Sequence, residues 1–267
     1  MFGGRSMRIK KNRLMATLIL TVVLSLFPRP AGAEQLYINE LLEHNPWPQV
    51  LKEGPIVRVE QPPIQRPSAE EELDMGDPVP FQKVALTFDD GPNASHTSEI
   101  LDILKGESVR ATFFVVGNQV ERHPELVERM SNEGHLIANH SRTHADFTLL
   151  SNEDIVALEL DPTSRAVEKL TGDYPMIMRP PYGSLRPDSS ALLRELGWQI
   201  VRWSLDTFDW DTHRNSFDQI INRIQTQHHQ GAIVLMHCNG PATTRALPEV
   251  IRTLRELGYE FVTVAQL

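Results

Sequence analysis

The sequence predicts an α/β fold: one domain built as an irregular (β/α) barrel of about seven strands, preceded by an extended N-terminal segment. Three observations carry this. From Phe81 onward, apolar runs of strand length alternate with amphipathic helical stretches, and repeated βα units imply a mostly parallel sheet or barrel. About seven repeats occupy roughly 187 residues, which favours a closed but irregular barrel over an open sheet. Five of the apolar runs end in titratable or metal-binding residues, and a barrel of this kind carries its site at the C-terminal ends of its strands.

The elements follow in order. "KVALTF" reads as a strand, and "HTSEILDILKGES" as an amphipathic helix with Ile100, Leu101, Ile103 and Leu104 on its apolar side. "ATFFVVG" is a strand. "HPELVERMSNEG" is a helix with Pro124 early and Gly134 at its C-terminal end. After the short strand "HLIAN" comes "SNEDIVALELDPTSRAVEKLTG", a long helical segment opening Ser-x-x-Asp, close to a capping box. Then follow "PMIMRP" (strand), "DSSALLRELG" (helix), "QIVRWSLDT" (strand), "SFDQIINRIQTQHHQG" (helix) and "AIVLMH" (strand). "ALPEVIRTLRELG" and "YEFVTVAQL" are the closing helix and strand.

The first 80 residues differ. A basic stretch reaches Arg13, an apolar run spans Leu14 to Phe27, and Ala31-Gly32-Ala33 supplies a small-x-small site, so residues 1–33 read as an export signal with the mature chain starting near Glu34. The apolar run is short for a membrane span, which needs about 20 residues; an uncleaved anchor is the alternative. Residues 34–80 are rich in Pro, Glu and Gln and read as a linker, with a possible short helix in "LYINELLEHN". The net charge of −9 includes six basic residues and no acidic ones among residues 1–33; without them 20 Lys and Arg face 35 Asp and Glu, a net −15. Such a body is repelled by nucleic acid and offers no basic footprint for anionic lipid. Cys238 is the single cysteine, so no internal disulfide can form.

The polar strand ends decide what "VALTFDDGPN" is for. Neighbouring side chains on a strand face opposite ways, so Asp89 and Asp90 are odd partners unless the chain turns at Gly91-Pro92. Ordinary turn chemistry is one reading. The other comes from the remaining ends: "HSRTH" (His140 to His144), "RPPYG" (Arg179 to Gly183), "DTFDW" (Asp206, Asp209, Trp210) and His237. His140 and His144 are four apart, so a helical turn would set both rings on one side. Two imidazoles plus a carboxylate leave an open position, as in a catalytic zinc site, and Asp90 is the natural third ligand. Asp89 is then free to serve as a base toward water, and His237 could protonate a leaving group. Acid, base and metal together describe hydrolysis.

"TFDDGP", "HSRTH", "RPPYG", "DTFDW" and "IVLMH", in this order over residues 81–267, resemble the five motifs of the polysaccharide deacetylases, the NodB-homology domain of carbohydrate esterase family 4. The resemblance implies a distorted (β/α) barrel as a single catalytic domain, and divalent-metal-dependent removal of N-acetyl groups from polymeric amino sugars. It implies Asp90, His140 and His144 as metal ligands, usually for Zn²⁺, with Co²⁺ or other ions also possible. Asp89 would be the base, oriented by Arg179, and the backbone N–H of Tyr182 would stabilise the oxyanion. His237 would protonate the departing amine while Asp209 holds its pKa up. Trp210 and Leu235 would wall the acetyl pocket, with Pro181 among the substrate-binding residues. Cys238 departs from the family, which often has an acidic residue there. His96 reads as solvent-facing, and Asp206 either assists Asp209 or finishes its strand.

The expectation is therefore an exported, monomeric hydrolase acting on an acetylated amino-sugar polysaccharide in peptidoglycan or a chitin-like glycan, extracellular or wall-associated. The alternatives are an O-acetyl esterase on xylan or a related polymer, and a glycan-binding protein that has lost catalysis.

Overall fold

The computed structural model describes residues 82–267. The proposed signal and linker, residues 1–33 and 34–80, lie outside the described residues.

β1 (Gln82–Gly91) is the hub of the sheet. Val84 through Phe88 are fully buried, the continuous burial expected of a strand covered on both faces. It pairs in parallel with three others: β2 (Thr112–Val115), β7 (Ala232–His237) and β8 (Tyr259–Phe261). β3 (Leu136–Asn139), β4 (Ile177–Met178) and β5 (Gln199–Ile200) extend the sheet beyond β2, and β6 (Leu205–Asp206) extends it beyond β7. The order is β5-β4-β3-β2-β1-β7-β6, with β8 on β1, and every pairing is parallel.

This is the expected α/β barrel with one departure. "QIVRWSLDT" is not one strand but two, and they lie at opposite edges of the sheet. Val201 N–H still donates to Met178 O of β4 (2.8 Å), while Ser204 N–H already donates to Ile233 O of β7 (3.0 Å). Arg202 and Trp203 alone cross between the edges. Five Cα steps from Ile200 to Leu205 reach about 18 Å at most, so the sheet must curl until its edges nearly meet. The chain spans the gap, but among the described residues no ladder of hydrogen bonds closes it.

The helices follow the predicted periodicity. α1 (His96–Gly106) buries Ile100, Leu101 and Leu104. α2 (Gly117–Arg122) is an extra short helix directly after β2, and α3 (Pro124–Asn132) opens on its proline. The long segment begins at Asn152–Asp154, capped by Ser151 Oγ, which accepts from Asp154 N–H. It continues through a π-helical stretch, Ile155–Leu160, into α4 (Asp161–Thr171). α5 (Pro187–Glu195) precedes β5. α6 (Phe217–Gln227) is fixed by a capping box between Ser216 and Gln219. α7 (Pro241–Glu256) starts earlier than expected because Pro241 sets its first turn. The final apolar run is a strand only as far as Phe261 and ends in a 3₁₀ turn, Val264–Gln266. One apolar cluster joins β1, β2 and β7 to α1, α3, α6 and α7, with Phe88 stacked on Phe113 at 5.2 Å. A second, including Phe147, Leu160, Met178 and Trp198, lies around β4.

At the end of β1 the register shifts between Phe88 and Gly91, and Gly91 packs against the buried Cys238. A Cβ at Gly91 would sit 2.8 Å from Cys238 Sγ and 3.1 Å from its Cβ. Gly91→Ala should therefore cost about 1–3 kcal/mol through overpacking. Thermal unfolding checks this: a lowered Tm that Cys238→Ala partly restores is expected, and an unchanged Tm for Gly91→Ala would contradict the packing account.

Candidate active site

The site is built where the strands end. β1 delivers Asp89 and Asp90, β3 leads to His140 and β4 to Arg179. β6 leads to Asp206 and Asp209, and β7 ends on His237, which is in register with Asp89. Asp90 has a left-handed backbone (φ 68°) at the irregular end of β1. That conformation breaks the alternation of a regular strand, so two adjacent carboxylates can line one cleft.

Five non-glycine residues around the cleft are left-handed: Asp90, Ser141 (φ 72°), His144 (φ 63°), Tyr182 (φ 59°) and Phe208 (φ 55°). Each such residue costs about 1–2 kcal/mol, and such strain persists only where the surroundings hold it. His140 and His144 show how. They do not share a helical turn, as their spacing suggested; the segment is a loop. Glu159, buried in the π-helical stretch, accepts from Arg142 N–H (2.9 Å), Thr143 N–H (2.8 Å) and Thr143 Oγ–H (2.8 Å). Asn139 Oδ1 accepts from Ser141 N–H (2.8 Å), and Ser141 Oγ accepts from His144 N–H (2.9 Å). These bonds fold the loop so that the two rings meet edge to face, 5.0 Å apart.

His140 Nδ1 lies 2.8 Å from Arg179 O. A carbonyl only accepts, so the neutral ring carries its proton on Nδ1 and presents the Nε2 lone pair to the cleft. Burial lowers its pKa against the pull of Asp89, Asp90 and the Arg179 carbonyl, which keeps it neutral. Asp90 Oδ1 is 3.6 Å from His140 Nε2 and 3.2 Å from His144 Nε2; it is buried and has no hydrogen-bond partner among the described residues. An orphaned buried carboxylate oxygen facing two imidazoles fits a divalent cation, and donor atoms of these three residues all lie within 4.8 Å of one another.

Asp89 is held differently. Its Oδ1 accepts from Arg179 Nη1 at 2.7 Å, and its Oδ2 is 3.6 Å from His140 Nε2. Arg179 is fully buried and donates also to Thr87 Oγ1 (2.9 Å) and Arg202 O (3.0 Å), with its guanidinium 4.0 Å from the Phe114 ring centroid. Burial lowers its pKa and Asp89 opposes that shift. Across the cleft, His237 Nδ1 pairs with Asp209 Oδ1 at 2.7 Å, while Asp209 Oδ2 accepts from His237 N–H (2.7 Å) and from Thr243 Oγ1. Burial works against charge on His237, but Asp209, then Asp89 and Asp90, outweigh it and raise its pKa to about 9.

These groups line a cleft of about 380 Å³ together with Tyr182, Trp210 and Leu235. Arg179 and Asp209 stand behind it. Pro181, at the start of the 3₁₀ turn Pro181–Gly183, does not line it, whereas its equally buried neighbour Pro180 does. His96 is absent from the lining, whereas Asp206 is part of it, with a carboxyl pushed up by burial despite accepting from Phe208 N–H (2.7 Å). Trp203, Glu159 and Thr243 escaped the sequence reading. Glu159 carried a signal: it is the acidic residue inside the apolar run "IVALEL".

The family model described as polysaccharide deacetylase matches residues 76–201, which include Asp89, Asp90, His140, His144 and Arg179. A chitooligosaccharide deacetylase of Bradyrhizobium is 37% identical over 207 residues, covering 72% of this chain and 93% of the relative. The chain belongs to the polysaccharide deacetylase family. The relatives named here are deacetylases, hydrolases acting on carbon–nitrogen bonds. A peptidoglycan-N-acetylglucosamine deacetylase of Listeria monocytogenes is 40% identical over 186 residues, 70% of this chain; the match spans only 39% of that longer relative. Among solved structures, a peptidoglycan N-acetylglucosamine deacetylase in complex with a substituted N-oxidanyl-benzamide superposes with a TM-score of 0.66 at 36% identity, covering 71% of this chain and 89% of that one. No helix among the described residues of this polysaccharide deacetylase is long and apolar enough to cross a membrane.

Because folding raises the His237 pKa from 6.5 to about 9, stability from this group is complete below pH 6.5 and is lost as pH rises through 9. Asp209→Asn should bring that pKa down by about one unit or more. NMR titration of chelator-treated protein reads it directly, and a value that stays near 9 in the variant would remove Asp209 as the cause.

Proposed function

We propose that this polysaccharide deacetylase is exported and, as a monomer, hydrolyses N-acetyl groups of amino sugars in peptidoglycan or a chitin-like glycan, with Asp90, His140 and His144 holding a divalent cation, zinc foremost. The observation that carries this reading is the division of labour between the two aspartates. Asp90 turns a bare oxygen to the two imidazoles, while Asp89 gives one oxygen to Arg179 and keeps the other free.

A cation held there supplies Lewis-acid activation of water and of the acetyl carbonyl. The chain's own groups do the rest. Asp89 Oδ2, the oxygen that Arg179 does not occupy, takes a proton from the attacking water as general base. Arg179, on the other oxygen, fixes that carboxylate in direction. The Tyr182 N–H, on the strained turn of the rim, donates to the developing oxyanion. His237, protonated at neutral pH through Asp209, delivers its proton to the departing amine nitrogen. An amine is a poor leaving group without that proton, and an alcohol needs it less, so a histidine with its pKa raised to about 9 favours the amide over the ester substrate. Leu235 and Trp210 bound the space for the acetyl methyl, and Tyr182 and Trp210, both more than half exposed, offer faces to a sugar ring. Residues 1–33 serve export, 34–80 act as a spacer and 81–267 form the catalytic domain.

His140→Ala and His144→Ala should each lose the metal and activity together, because three protein ligands leave none spare; stoichiometric metal in either variant, by elemental analysis, would refute the ligand set. Acetate release should be seen from purified peptidoglycan or chitin oligomers, should disappear after chelation, and should return with zinc. Release from acetylxylan alone would reverse the choice between amide and ester.

A further inference from the structure

The two oxygens of Asp90 have different partners. Oδ1 is the orphan that faces His140 and His144. Oδ2 accepts a hydrogen bond from Asn239 Nδ2 at 2.9 Å, which is the hydrogen bond this carboxylate receives among the described residues. Asn239 lies two residues past His237, just beyond β7, and is itself exposed. Its backbone is placed by the sheet: Cys238 N–H donates to Asp89 O at 2.9 Å, which ties the end of β7 to the end of β1.

We propose that Asn239 is a positioning residue that fixes the Asp90 carboxylate so that Oδ1 alone faces the two histidines. The inference rests on the metal-site reading given above. An aspartate side chain rotates freely about its last bond, and with both oxygens unbound it can present them together. Two carboxylate oxygens on one cation would fill a position that hydrolysis needs open. An amide donor on Oδ2 prevents this without adding charge. A lysine there would partly neutralise the ligand, and an aspartate would repel it. Asp90 has further need of an external restraint, because its own backbone is left-handed and, among the described residues, no other hydrogen bond orients its carboxylate. Hydrogen-bonded partners of metal ligands affect affinity by about 10–100-fold.

The test uses the full chain, stripped with a chelator, and two variants, Asn239→Leu and Asn239→Ala. The first keeps the side-chain size without the donor, and both lie at an exposed position. Zinc affinity is measured by competition with a chromophoric chelator, and the visible spectrum is recorded after loading with cobalt(II). We expect zinc to bind about 10–100-fold more weakly in both variants, a weaker cobalt band as the second carboxylate oxygen joins the ion, and an unchanged Tm of the metal-free protein. Affinity within threefold of the parent would overturn the proposal. So would weaker binding accompanied by an unchanged cobalt spectrum and a lowered metal-free Tm, since Asn239 would then be structural only. If the parent itself binds neither ion, the metal site fails and the role of Asn239 fails with it; a parent that binds while the variants match it sinks the Asn239 role alone.

Discussion

The buried pair of Arg179 and Asp89 is the constraint on which the rest of this structure depends. A guanidinium with no exposed surface sits inside the barrel, 2.7 Å from a carboxylate that is 3% exposed. Charges taken out of water in this way are tolerated only with close pairing and further hydrogen bonds, and removing one partner of such a pair typically costs about 3–5 kcal/mol. Arg179 obtains those bonds from three parts of the chain: Asp89 and Thr87 on β1, and the carbonyl of Arg202 in the segment that crosses the open seam. The seam is therefore useful. A barrel closed by a full ladder there would have committed the Arg202 carbonyl to a neighbouring strand. The break between β5 and β6 leaves it free to face the guanidinium, and Trp203 beside it lines the cleft.

From that pair the other assignments follow. With Arg179 on one oxygen, Asp89 is held in a single orientation. The carbonyl of the same Arg179 receives the Nδ1 proton of His140, which turns Nε2 toward Asp90. One residue thus orients the proposed base through its side chain and a proposed ligand through its backbone. The opposite wall is independent of it: Asp209 uses both oxygens on His237 and Thr243. Several kcal/mol of backbone strain are gathered around this rim, offset by buried bonds such as those of Glu159.

Much of this was legible in the residues. The apolar runs of β1, β2, β3 and β7 and the stripe of α1 gave their elements by periodicity alone, and the five polar strand ends converge on one cleft as expected of the C-terminal face of a barrel. What could not be read is where local pattern yields to tertiary demand. "QIVRWSLDT" has the composition of one strand, and nothing in its nine residues says that its halves belong to opposite sheet edges. The i, i+4 spacing of His140 and His144 suggested a helical turn, yet two left-handed residues bring the rings together instead. Those conformations exist because Glu159 and Asn139 supply bonds from elsewhere. Pro180 and Pro181 are indistinguishable in sequence, and only the folded chain shows that Pro180 lines the cleft. Asn239 carries no signal at all until Asp90 is seen beside it.

The central claim is that two adjacent aspartates of similar chemistry do unlike work. The direct measurement compares Asp89→Asn and Asp90→Asn for bound zinc and for kcat on the same acetylated oligomer. Asp90→Asn should lose metal, because a neutral amide replaces the carboxylate beside a dication. Asp89→Asn should retain metal and lose about 10²–10⁴-fold in kcat, the size of a general-base contribution. Equal metal content with equal activity in the two variants would contradict the account and return the pair to ordinary turn chemistry.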